Sequence, residues 1–295
     1  MEKNTAINNK NIGGINDSIE EYKTAGKEIY NLLRLNTYPV AVKYFKSMDD
    51  IPKGFARPTQ FNQKWSLCQA ITYARRGRAR VAMTADDNFC VPASYGQGWL
   101  PNISYDDLIE SQRLNKWRET MESEKKVQAE FAAEIMLHEG YKKVKGNIGF
   151  LLAPLTETAY VPDSILFYGS PGQVTHIIQA LAYEGKHIVK STFIGFGESC
   201  MKGAFFPYVT GNPQYVSPGA GDQSFSGTNE YEVAIGIPGE LLFYIKDKLF
   251  KTGGPYNIGM PTRTILPGQL SEKLLPGWIF LREKIDELGE KENKL

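Results

Sequence analysis

The sequence repeats itself faintly, and a cysteine falls at the same place in each copy. Gln69-Ala-Ile-Thr-Tyr73 followed by Cys90 recurs as Gln179-Ala-Leu-Ala-Tyr183 followed by Cys200, and both copies run 21 residues from Gln to Cys without a gap. A hydrophobic stretch precedes each, Tyr38-Pro-Val-Ala-Val-Lys-Tyr-Phe45 and Val161-Pro-Asp-Ser-Ile-Leu-Phe-Tyr168. Each unit therefore reads strand, helix, strand, cysteine turn. Two such units are expected to pack about a pseudo-twofold axis, bringing Cys90 and Cys200 toward a common centre. The expected class is α/β (or α+β), with two pseudo-symmetric strand–helix–strand halves forming one compact body.

The rest of the chain is organised around those halves. Residues 1–14 are polar and asparagine-rich and are expected as a flexible arm. A single domain is expected over 15–295, with the repeat units at about 38–100 and 149–249. Between them a helical excursion at 101–145 opens on Ser104-x-x-Asp107, which resembles a capping box. Within it Val127, Phe131, Ile135 and His138 share one helical stripe. The insertion at 46–64 delivers Cys68 to the head of the first repeat helix, and Ile178 takes that place in the second copy. Asn212–Ser217 and Tyr231–Ile237 read as strands, His187 as the start of another, and a C-terminal helix is expected at 270–288.

Composition narrows the function classes. Lys and Arg total 34 against 33 Asp and Glu, so no overall charge points to nucleic acid or an anionic membrane. No apolar run reaches the roughly 18 residues of a membrane helix. The first residues carry no apolar signal core, so the expected compartment is the cytoplasm. In that reducing setting three cysteines are not expected to pair as disulfides.

Cys68, Cys90 and Cys200 are the only cysteines. Soft thiolates suit iron–sulfur clusters, and three of them leave one iron of a [4Fe–4S] cluster without a protein thiolate. Such an iron is free to act as a Lewis acid. Two other readings stand beside this one: buried cysteines packing as small hydrophobes, and a zinc site. No histidine lies at a recognised spacing from the cysteines. Gly195-Phe-Gly-Glu-Ser-Cys-Met-Lys-Gly203 reads as a glycine turn entering a helix, with Glu198 and Lys202 as the nearest acid/base candidates. Arg75, Arg76 and Arg80 are candidates for holding an anionic substrate group, against a solvated helix end. Asp86-Asp87 read as turn residues and Pro218-Gly-Ala-Gly-Asp222 as a loop whose amides could cradle an anion.

At Leu67-Cys-Gln-Ala-Ile-Thr-Tyr-Ala-Arg-Arg-Gly77, Asn88-Phe-Cys-Val-Pro92 and Ile237-Pro-Gly-Glu-Leu241 the chain resembles domain-of-unknown-function family 169, found in archaea and anaerobic bacteria. The likeness covers about residues 26–250. It implies that cysteines matching Cys68 and Cys90, and with them Cys200, belong to the family pattern; it implies no activity. The reading that follows is an iron–sulfur enzyme acting on a small oxygen- or sulfur-bearing substrate by lyase/hydratase or reductive chemistry. A small-molecule substrate, an electron donor protein and a homo-oligomer are the expected partners. A non-catalytic cluster sensor or carrier, a tetrapyrrole-binding protein, and a structural zinc site with an unrelated pocket are the alternatives.

Overall fold

A computed structural model describes residues 5–100, 103–115, 119–123, 125–127, 129, 144–249, 251 and 276–292. The chain divides into two units, 1–259 and 260–295. In the second, the described residues form one helix, Pro276–Glu292.

The first unit is built on a six-stranded sheet of β1 (Val40–Phe45), β2 (Val81–Thr84), β3 (Gly149–Pro154), β4 (Ser164–Gly169), β5 (Gln214–Val216) and β6 (Val233–Pro238). Their order is β2-β3-β1-β4-β6-β5, and every pairing is antiparallel. An antiparallel sheet commonly leaves one face to water. Here both faces are covered, which is why Val40-Ala-Val-Lys-Tyr-Phe45 and Ser164-Ile-Leu-Phe-Tyr-Gly169 are apolar at almost every position rather than alternately.

Alternation along the strands assigns each residue to a face. Val40, Val42, Tyr44, Phe150, Leu152, Leu166 and Tyr168 share one buried cluster. Ala41, Leu151, Ala153, Ile165, Phe167, Ile235 and Ile237 share the other. Helix α1 (Thr5–Leu33) covers the second face through Tyr22, Ala25, Ile29 and Leu33. Its start at Thr5 lies inside the segment expected as an arm, because adding residues to an already packed helix is far easier than nucleating one. On the first face lies α2 (Leu67–Gly77), with Leu67, Ala70, Ile71 and Ala74 buried. The short α3 (Val91–Gly96) and α4 (Tyr105–Leu114) follow in sequence, the latter capped by Ser104 and Asp107 as its sequence foretold. The rest of the excursion's stripe, Phe131, Ile135 and His138, lies outside the described residues.

The expected pseudo-symmetry is corrected in part. The strand order is palindromic, second-third-first against first-third-second, as a twofold axis between β1 and β4 requires. The helices break it. Helix α5 (Pro171–Ala182), which carries Gln179-Ala-Leu-Ala, buries Val174, Ile177, Ala180 and Leu181 against the second face, opposite α2. The two Gln-Ala motifs are not equivalent either. Gln69 closes the N-terminal capping box of α2 with Ser66, and the matching residue in α5 is Gln173, boxed with Ser170. Gln179 sits near the other end of its helix.

Beyond α5 the chain loops through His187, with no strand there. It enters a π-helix at Glu198–Phe205, then α6 (Phe206–Thr210), α7 (Ala220–Ser226) and α8 (Leu241–Leu249). The π-helix is buried throughout and lies directly on the sheet. A Cβ on Gly236 would stand 1.9 Å from the Gly203 carbonyl oxygen, and one on Gly203 would stand 2.9 Å from Leu166 Cδ2. Only glycine at both positions allows this approach.

Candidate functional site

Three separate elements carry the cysteines onto the first face. Cys68 is the second residue of α2, Cys90 the N-cap of α3, and Cys200 the third residue of the π-helix. Two short backbone links draw them together. Trp65 N donates to Asp87 O at 2.9 Å and Phe89 N to Trp65 O at 3.2 Å, so the approach to α2 pairs with the Cys90 turn. Ala220 N donates to Gly195 O at 3.1 Å, tying α7 to the turn before Cys200. Cys68 Sγ in turn lies 3.4 Å from Gly221 O and 3.0 Å from Ser66 Oγ.

The 46–64 insertion braces this arrangement from outside. Arg57 and Thr59 both bind Asp87, Arg57 Nη2 at 2.8 Å and Thr59 Oγ1 at 2.6 Å. Burial pushes the Asp87 carboxyl up, but the bonds from Thr59, Arg57 and Thr84 outweigh it and leave its pKa below the ordinary value. Asp87 is therefore a buried anchor of the Cys90 turn and not the surface turn residue its sequence suggested, whereas Asp86 is exposed.

All three thiols resist ionisation. Burial, then the Asp222 carboxylate, pushes Cys68 up to about 12, against hydrogen bonding from Ser66. Burial, then Cys68, Cys90 and Asp222, pushes Cys200 well above the ordinary thiol value, and burial raises Cys90. The three cysteines thus share one electrostatic neighbourhood. Among the described residues, however, no three His, Cys, Asp or Glu side chains are grouped so as to hold a single metal ion.

Asp222 is the residue that the sequence left in a loop. It is buried in the first turn of α7, its Oδ2 accepts from Gly219 N at 3.0 Å, and its charge is felt by Cys68, Cys200 and Tyr168. Burial raises its pKa despite bonds from Ser199 and Gly219. The only sequence signal for it was the glycines ahead of it, of which Gly219 lets α7 approach the turn before Cys200: a Cβ there would stand 2.6 Å from the Gly195 carbonyl oxygen.

The acid/base candidates flank Cys200 on the π-helix, and both are buried. Glu198 Oε1 accepts from Ile194 N and Gly195 N, each at 3.0 Å, while Oε2 has no partner among the described residues. Burial raises the Glu198 pKa, with Lys202 and the two amides pulling the other way. Lys202 Nζ donates to Thr192 Oγ1 at 2.7 Å and lies 4.5 Å from the centre of the Phe206 ring. The turn that admits them needs its glycines, with φ of 80° at Gly195 and 63° at Gly197.

The three arginines separate. Arg75 is fully buried 4.1 Å over the Tyr168 ring, with its guanidinium held by Glu232 at 2.6 and 3.1 Å. Arg76 reaches the same Glu232 from the surface at 2.9 Å. Arg80 is exposed, and its charge acts on Tyr160 of the second-face cluster, away from the cysteines. Of the three, only Arg75 adjoins the site, and it is already paired. His176 bonds to Gln179, and His187 packs on Tyr244.

Comparison with known proteins identifies the family. Residues 28–245 match domain-of-unknown-function family 169, described as "Uncharacterised ArCR", and the chain belongs to that family. A relative from Methanocaldococcus jannaschii, "Uncharacterized protein MJ0308", is 26% identical over 228 residues, covering 76% of this chain and 91% of its own. No solved structure matches the chain. Among the described residues no helix is long and apolar enough to cross a membrane.

Proposed function

We propose that the chain holds a [4Fe–4S] cluster on Cys68, Cys90 and Cys200. One observation carries this reading: three thiols, 22 and 110 residues apart in sequence, two of them buried and Cys90 half-buried, stand on one face of the sheet near enough to feel one another's charge beside the buried Asp222. A group of acidic donors of this kind is costly to ionise unless a positive centre compensates it. Bound there, the cluster supplies a Lewis-acidic iron for a small oxygen- or sulfur-bearing substrate, in lyase/hydratase or reductive chemistry.

The chain's own residues then have distinct tasks. Glu198, anchored through Oε1 and with its pKa raised by burial, is the general-acid candidate beside Cys200. Lys202 stabilises the carboxylate left behind. Arg75 positions Tyr168 through the face of its ring.

Asp222 favours a second reading. As a fourth protein ligand it would close the coordination shell, and the protein would then be an electron carrier or a sensor.

Protein prepared anaerobically should be brown, with about four irons and matching sulfide per chain. A colourless protein with stoichiometric zinc, or no metal after anaerobic reconstitution, would overturn the proposal. Cyanide perturbing one iron of a selectively labelled cluster supports the enzyme reading. Cyanide reaching that iron only in Asp222→Ala, and not in wild type, supports the carrier.

A further inference from the structure

Cys90 is the N-cap of α3, and its backbone is held by a side chain two residues before it. Asn88 is buried; its Oδ1 accepts from Cys90 N at 2.9 Å, and its Nδ2 donates to Cys90 O at 2.8 Å. The same Nδ2 donates to the buried Ser94 Oγ, also at 2.8 Å. Both amide protons and the oxygen are therefore engaged within the chain. An asparagine that binds the backbone N–H two residues on is a common turn device. Here it grips the carbonyl as well, so the residue that carries the thiol is pinned on both sides.

Three branches meet at Asn88. Trp65 N donates to Asp87 O and Phe89 N to Trp65 O, so the segment leading into Cys68 straddles the Asn88 backbone. The side chain holds Cys90. From Cys90, α3 runs to its C-cap Gln97, whose N donates to Ala93 O at 3.1 Å and whose Nε2 donates to the Cys200 carbonyl at 3.3 Å. Helix α3 is thus a bracket, with Asn88 at one end and Gln97 at the other.

We infer that Asn88 is the positioning residue of this centre, fixing where the Cys90 thiol stands relative to Cys68 and Cys200. The other two cysteines have supports of their own. Ser66 caps the helix of Cys68, accepting from Gln69 N at 3.1 Å, and the π-helix of Cys200 rests on the sheet at Gly236. Loosening Asn88 should therefore release Cys90 alone. Only the iron measurement below rests on the proposed cluster; the clamp itself is tested without metal.

The metal-free full chain is alkylated with iodoacetamide and the modified cysteines are read by mass spectrometry. Parallel samples are reconstituted and assayed for iron per folded chain. Asn88→Ala should speed alkylation of the half-exposed Cys90 about five- to thirtyfold, as the loss of one or two neutral hydrogen bonds allows. Cys68 and Cys200 should not change. Asn88→Ser, whose hydroxyl still accepts from Cys90 N more weakly, should fall between, and it serves alone should Asn88→Ala not fold. Bound iron should decline in the same order. Ser170→Ala removes a helix cap on the second face and controls for lost stability; it should alter neither readout. Unchanged Cys90, a uniform rise at all three cysteines, an equal effect of Ser170→Ala, or full iron in a variant with Cys90 released overturns the inference. Selective release of Cys90 in a protein whose wild type binds no iron would sink the iron–sulfur reading and leave the clamp standing.

Discussion

The two faces of the sheet are built on different principles. The second is covered by regular helices whose buried residues are nearly all apolar: Tyr22, Ala25 and Ile29 from α1, Val174, Ile177 and Leu181 from α5, Leu242 and Ile245 from α8. The first is covered by α2 and by short or irregular pieces, and within them Arg75, Asp87, Gln97, Glu198, Lys202 and Asp222 are buried. Polar burial opposes folding unless each group is paired, and among the described residues Glu198 Oε2 and Gln97 Oε1 have no partner. One face supplies the stability on which the other can carry such unpaired groups. π-helical turns occur frequently at functional sites, and this one carries Cys200.

The contrast can be broken experimentally. The largest effect is expected on the second face, where Phe167→Ala should cost about 3–5 kcal/mol in urea unfolding. Iron bound per folded chain should not change. Loss of iron from a still-folded variant would mean that the faces are not separable.

Asp87→Asn comes next, at about 1–3 kcal/mol, because it weakens the bonds from Arg57 and Thr59. The sign of its pH dependence follows from its lowered pKa. An acid group with a depressed folded pKa contributes stability above its unfolded pKa, and loses it as pH falls through the folded one. Wild type should therefore lose stability as pH falls below 3.8, the ordinary value for this carboxyl. In melts across that range the variant should lose less; identical slopes would remove Asp87 from the account.

The smallest stability effects belong to the site itself. In metal-free protein, Cys68→Ala, Cys90→Ala and Cys200→Ala should each cost about 1 kcal/mol, yet each should strip iron from the reconstituted chain. Full iron retention by Cys200→Ala alone would remove the third ligand and restrict the centre to the Cys68 and Cys90 side.

Much of the fold was legible because the strands are short and apolar between prolines and glycines. β1 runs Val40–Phe45 as its composition indicates, and β6 ends at the Ile237-Pro-Gly corner. The Gly195 turn did lead into a helix carrying Glu198, Cys200 and Lys202. What the sequence hid was which face each helix takes. Gln69-Ala-Ile-Thr and Gln179-Ala-Leu-Ala look alike, but a four-residue likeness says nothing of a helix's start, and the Ser-x-x-Gln boxes at Ser66 and Ser170 set that instead. Arg75 read as the end of a solvated helix because its partner Glu232 lies 157 residues away. Asp222 stayed hidden for the same reason, its place beside Cys68 arising only when α7 packs on α2.

The meeting of Gly203 and Gly236 has a mechanical consequence. Between most helices and sheets lies a cushion of side chains, whose rotamers absorb small displacements on either side. Here backbone rests on backbone, and a Cβ on Gly236 would stand 1.9 Å from the Gly203 oxygen. There is no play in the joint. Any change in the twist of β6 passes undamped to the π-helix, and so to the position of Cys200 relative to Cys68 and Cys90. The thiol separation is thereby gauged by the sheet itself, and substitutions in distant strand positions become a means of altering what the three cysteines can grip.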